Sequence, residues 1–183
     1  MAIASSDFVR LVADLCRLRR GPQDLPHSPT LLAWLIGAVL ALDVSIGGLL
    51  GDGGDALAHS LLTTGVVLGL AWLELALRGR RSRYVQTATA LCACGLAISL
   101  TQLPIAALIE LPAAGGADEA LALGPWQALL RWLLLATLIW QVFVNANLLR
   151  HAVEIGFGFA LAHATSWLVA YWVLESLLFG KAA

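Results

Sequence analysis

Apolar residues run along this chain in long blocks, and the polar residues that interrupt them are few and widely spaced. An α-helix needs roughly 20 such residues, at about 1.5 Å each, to cross about 30 Å of hydrocarbon. Five blocks reach that length, near Thr30–Leu50, Leu57–Leu77, Val85–Ile109, Trp126–Leu149 and Phe159–Phe179. The pattern predicts an all-α membrane protein in which residues 29–183 form a single domain, a bundle of five transmembrane helices. The longest connection, Glu110–Pro125, is too short to hold a water-soluble domain. Pro104, late in the third block, is expected to kink that helix or mark its end. "GFGFA" at Gly156–Ala160 reads as a hinge between the last two spans.

Residues 1–28 follow a different rhythm. Phe8, Leu11, Val12, Leu15 and Leu18 recur at helical spacing, while Arg10, Asp14 and Arg17 take the other face. Ser5 or Ser6 can cap the start. The bundle is therefore expected to be preceded by an amphipathic interfacial helix, apolar side down, with its arginines toward anionic headgroups. A soluble helix docked on a partner is the other reading. Gly21, Pro22, Pro26 and Pro29 then break the helix and impose an extended approach to the first span.

Composition sharpens the class. Hydrophobic residues make up 60% of 183 positions and charged residues 13%, about half the share of a soluble domain. A net charge of −1 provides no basic face for a phosphate backbone, so nucleic acid is not expected as a partner. Cys16, Cys92 and Cys94 are odd in number and none lies in an expected external loop, which argues against a disulfide framework. Cys16 reads as a small packing residue. Cys92 and Cys94, two apart on a helix, point about 160° away from each other, so no metal site is expected there.

The placement of charge sets the orientation. Arg10, Arg17, Arg19 and Arg20 precede the first span, Arg78, Arg80, Arg81 and Arg83 separate the second from the third, and Arg150 follows the fourth. The alternate connections, "GDGGDA" and Glu110–Pro125, hold acids and no Lys or Arg. Basic loops stay on the cytoplasmic side, so the N-terminus is expected in the cytoplasm and the C-terminus in the periplasm, with Lys181 the single basic residue outside. The N-terminal segment lacks the apolar core of a signal peptide, and the first span is expected to act as an uncleaved anchor. One lysine against ten arginines, amid abundant Ala, Leu and Gly, points to a GC-rich bacterial genome and hence to a bacterial inner membrane.

Small residues mark the packing seams. Gly65 and Gly69 lie one turn apart in the second span, Ala33, Gly37 and Ala41 line the first, and Ala88, Cys92, Gly95, Ser99 and Gln102 form one stripe of the third. These seams serve packing within one chain or between copies. The fourth span is the unusual one. On a wheel of about 100° per residue, Arg131, Gln141 and Asn145 fall within roughly 80° of one another, with Asn147 almost opposite Arg131.

Arg131, Asp43 on the first span and Glu175 on the fifth are expected at similar depths near the outer side. A charge there without a partner is expensive, by at least a few kcal/mol. The plainer reading pairs Arg131 with Asp43 or Glu175 as a bundle lock, with Gln141 and Asn145 as interhelical glue. The sharper one makes the same residues a lined cavity or a subunit-binding seam, with His163 and His59 responding to protons. His163 is otherwise a satisfied interior histidine, and Glu74 is expected to pair with Arg78 four residues on. Trp167, Tyr171 and Trp172 are expected toward the outer interface or a lipid groove.

No HExxH pair, phosphate-binding glycine loop, GxSxG elbow or CxxC occurs, so no enzyme activity and no cofactor are expected. The five spans, the segment "RGPQDLPHSP" and the central "RYVQTATALCACGLAISLTQLPIAAL" resemble the Yip-type family of small five-span proteins. The resemblance implies a non-enzymatic membrane protein acting through partners. The sequence thus leads to an integral inner-membrane protein that is an interaction, assembly or accessory subunit, its partners being the lipid bilayer, other membrane subunits or itself. The alternative is a small transporter or channel component with a polar pathway lined by Asp43, Arg131 and Glu175. A membrane enzyme acting on lipid ranks last, having no recognisable nucleophile.

Overall fold

The computed structural model describes residues 5–50, 54–109 and 124–180. Six helices account for nearly all of them: α1 (Ser5–Cys16), α2 (Pro29–Leu49), α3 (Ala56–Leu77), α4 (Tyr84–Ile109), α5 (Pro125–Val153) and α6 (Phe157–Phe179). Helices α2 to α6 are each long and apolar enough to cross a bilayer, and the chain is a multi-pass membrane protein built as a helical bundle. The expected acidic connection at 110–123, the first half of "GDGGDA" and Lys181 lie outside the described residues.

Local chemistry explains the helix ends. Ser28 accepts a hydrogen bond from the Leu31 amide at 3.2 Å, and Pro29 occupies the first turn of α2, where its missing donor is harmless. Gly79 closes α3 in the left-handed region at φ 69°, a conformation glycine adopts without a Cβ clash. Pro104 does not end α4, which runs on to Ile109. The fourth span overruns its apolar block by several residues, through Arg150 and His151 to Val153.

Helix α4 is the centre of the bundle. It packs most extensively on α2 and α5; α3 also touches it, and α6 bridges α3 and α5. Thr87 to Cys94 are buried without interruption, so this stretch has neighbours on every side. That is why it reads TATALCAC: only small side chains let helices approach this closely. Thr87 and Thr89 donate their hydroxyls to the carbonyls of Arg83 and Val85, which satisfies them inside a crowded interior.

The amphipathic helix α1 turns its apolar stripe to the bundle rather than to lipid. Leu11 and Leu15 join Leu91, Cys94, Ile98 and Leu148 in one core, while Val12 packs with Leu35, Val39 and Cys92. Leu15 is completely buried. Cys94 of α4 is buried in the first of these cores and Cys16 of α1 packs against it, as a small packing residue. The approach to α2 is tied down as well. Gln86 donates to the Leu25 carbonyl at 2.8 Å and Asn147 donates to the Arg20 carbonyl at 3.2 Å.

Candidate functional site

Among the described residues, two clusters of polar side chains form within the spans, and Arg131 stands apart from both. The first cluster centres on Asp43 of α2. Ser99 of α4 donates its hydroxyl to the Asp43 carboxylate at 2.9 Å. A hollow of about 250 Å³ opens beside them, lined also by His59, Ser60, Thr63, Gln102 and Gln141. Gln102 donates to the Thr137 hydroxyl at 2.9 Å, and Thr63 donates to the His59 carbonyl. Ser60 is buried, and its hydroxyl has no hydrogen-bond partner among the described residues. Gly95 lies below Gln141, where a Cβ would stand 3.7 Å from its side-chain nitrogen. The stripe Gly95–Ser99–Gln102 therefore faces α2 and α5 and shapes the hollow.

The second cluster joins α3 to α6 nearer the arginine-bearing end. Glu74 accepts from Nδ1 of His163 at 3.0 Å and from the Trp167 indole at 2.8 Å. A carboxylate only accepts, so the His163 contact needs the proton on Nδ1. This corrects the expected Glu74–Arg78 pair: Arg78 is exposed, and Glu74 turns inward to two donors. Trp167 is correspondingly buried, whereas Trp172 faces outward at 62% exposure.

Arg131 stands apart. It is exposed on α5, and among the described residues it forms no ion pair with Asp43 or Glu175. Asp43 instead has its serine, and half-buried Glu175 makes no side-chain hydrogen bond among the described residues. The expected polar face of α5 thus divides: Gln141 turns to the Asp43 hollow, Asn145 is half-buried without a side-chain hydrogen bond among the described residues, and Arg131 points out. Asn147, expected on the far side, is the buried one and staples the N-terminal segment. The glycine seams divide too. Gly37, Gly65 and Gly69 are exposed, and a Cβ at any of them meets nothing within 4 Å among the described residues.

At the arginine-bearing end, Glu154 caps α5 in the left-handed region (φ 59°) and receives Arg80 at 2.6 Å and Arg83 at 2.7 Å. These hydrogen bonds, Arg80 first, push its carboxyl down from 4.5 to about 2. The sequence offered little sign of this clamp, because its members are some seventy positions apart (|i−j| 74 and 71). The hinge at Gly156 is the start of α6, directly after the clamp. Comparison of the chain with family models, curated proteins and solved structures finds no match.

Proposed function

We propose that this protein is a non-enzymatic accessory or assembly subunit of a bacterial inner membrane, working through protein or lipid partners, with its arginine-bearing end in the cytoplasm. The observation that carries the reading is Arg131: a cation on the outer surface of a membrane-spanning helix with no ion pair among the described residues. It lies six residues from Pro125, about 9 Å along the helix, where a guanidinium needs an acidic group or headgroup to be tolerated. The outward glycines support the same reading. Gly65 and Gly69 line a shallow groove of about 370 Å³ between α3 and α6, a shape that accepts a second helix at close range. The resemblance to the Yip-type family is in keeping with a protein that acts through partners.

The test is purification from native membranes in mild detergent, with partners identified by mass spectrometry for the wild type and for Arg131→Leu. A stoichiometric partner that is lost in the variant supports the reading. No partner, or an unchanged one, overturns it.

The Asp43 hollow favours a second reading, a transporter or channel component. A carboxylate, three hydroxyls and two amides converge there inside the spans, although Arg131 faces away from it. Ion flux in proteoliposomes that vanishes in Asp43→Leu while assembly persists would establish that reading.

A further inference from the structure

A hollow of about 750 Å³ lies between α1, α4 and α5 with a contribution from α2. Its depth comes from small side chains, Ala13, Ala93, Ala97 and Ala136, and its walls are Phe8, Leu100, Ile105, Leu133 and Trp140. Along α4 it extends from Ala93 to Ile105, twelve residues or about 18 Å. One leaflet of a bilayer is about half of 30 Å. The hollow is therefore a groove as long as a leaflet is deep, and it opens sideways past the exposed Leu133 and Trp140.

Its polar groups point to the occupant. Thr101 donates to the Ile98 carbonyl at 2.6 Å and Thr137 to the Leu134 carbonyl at 2.7 Å, so neither hydroxyl proton is left for a polar ligand. The remaining polar residue in the lining is Arg17, at the end of α1. It is exposed and makes no ion pair among the described residues; the neighbouring acid, Asp14, is taken by Arg20 at 3.2 Å. A greasy, leaflet-length groove thus ends at a guanidinium with no ion pair among the described residues, and Arg10 and Arg19 on the same segment add to the positive field. Arginine pairs readily with phosphate oxygens.

We infer that this groove binds one anionic glycerophospholipid, its acyl chain lying between α1, α4 and α5 and its headgroup phosphate at Arg17. The bilayer presents such a molecule to the groove at all times. The lipid then completes the packing of α1, whose Phe8 and Val12 face both the groove and the core. This site does not depend on the accessory-subunit reading, since Arg131 is not among the groove residues.

The experiment is native mass spectrometry of the full chain taken from vesicles with equal amounts of phosphatidylglycerol and phosphatidylcholine of the same acyl chains. The wild type is expected to retain one phosphatidylglycerol with at least a several-fold preference. Arg17→Gln is expected to retain lipid without preference, and Ala136→Trp, which fills the groove from an exposed position, to lose it while the elution volume stays the same. Equal retention of both lipids by the wild type, undiminished lipid in Ala136→Trp, or a wild-type dimer that excludes lipid from the groove would overturn the assignment. Should Ala136→Trp not fold, quenching of wild-type fluorescence by brominated phosphatidylglycerol decides instead. An excess of quenching over that by brominated phosphatidylcholine that is lost in Trp140→Phe supports the site; the same excess in both proteins, or none in the wild type, overturns it.

Discussion

Asn147, on the last turns of α5, donates its side-chain amide to the backbone carbonyl of Arg20, 127 positions earlier in the chain. The bond fastens the segment joining α1 and α2 to the arginine-bearing end of the bundle. Asn147→Leu fits the same space but leaves that carbonyl without its donor, a loss of about 0.5–1.5 kcal/mol, the net worth of an ordinary hydrogen bond. The expected result is a lower midpoint of thermal unfolding in detergent and faster tryptic cleavage after Arg19 and Arg20. An unchanged cleavage rate would show that the rest of the segment holds without this staple.

The Glu154 clamp should respond to acid. Its carboxyl is held near 2 in the folded protein against an ordinary 4.5. A depressed pKa contributes stability that is present above the unfolded value and lost as pH falls through the folded one. The contribution should therefore fade between about pH 4.5 and 2 and be screened by salt, because the clamp is exposed. Melting curves of the wild type and Glu154→Gln should differ at neutral pH and converge toward pH 2. Parallel curves would mean that the clamp adds nothing.

Glu74 holds two donors from α6, and truncating different members of the cluster should have unequal effects. Trp167→Phe removes one hydrogen bond and keeps most of the ring, with an expected loss of about 1 kcal/mol, typical of interhelical bonds in membranes. Glu74→Leu leaves both the His163 and Trp167 donors without their acceptor and should be the more damaging change. Unfolding titrations in mixed detergent micelles give the comparison, and an equal effect of both variants would contradict the shared-acceptor geometry.

Gly65 and Gly69 separate folding from association. A Cβ at either meets nothing within 4 Å among the described residues, and glycine inside a helix is less favourable than alanine by roughly 0.5–1 kcal/mol. The Gly65→Ala/Gly69→Ala variant should therefore fold at least as stably as the wild type. If the groove between α3 and α6 receives another helix, chemical cross-linking to that partner should fall in the same variant. Cross-linking that persists at wild-type yield places the association elsewhere.

The bundle was legible in the residue pattern because membrane insertion is a one-dimensional test. A block of apolar residues about 30 Å long has to cross, and its backbone has to be helical to satisfy its own amides. Five spans and a preceding amphipathic helix follow from length, periodicity and the arginine-bearing loops alone. The small-residue stripe Ala88, Cys92, Gly95 and Ser99 likewise announced close packing of the third span, although not that α4 would stand at the centre.

Partner choice inside the bilayer was not legible, since a wheel gives the direction of a side chain along its own helix and nothing about which helix faces it. Depth alone made Arg131 and Asp43 plausible partners; the packing of α2 against α4 gave Asp43 to Ser99 and left Arg131 outside. Spacing alone made Arg78 the natural partner of Glu74; the contact of α3 with α6 placed His163 and Trp167 nearer. The sequence by itself determined the number, length and apolarity of the spans. Only the tertiary structure decided which polar groups meet, because rotation and neighbour order of helices are set by contacts between residues far apart in the chain.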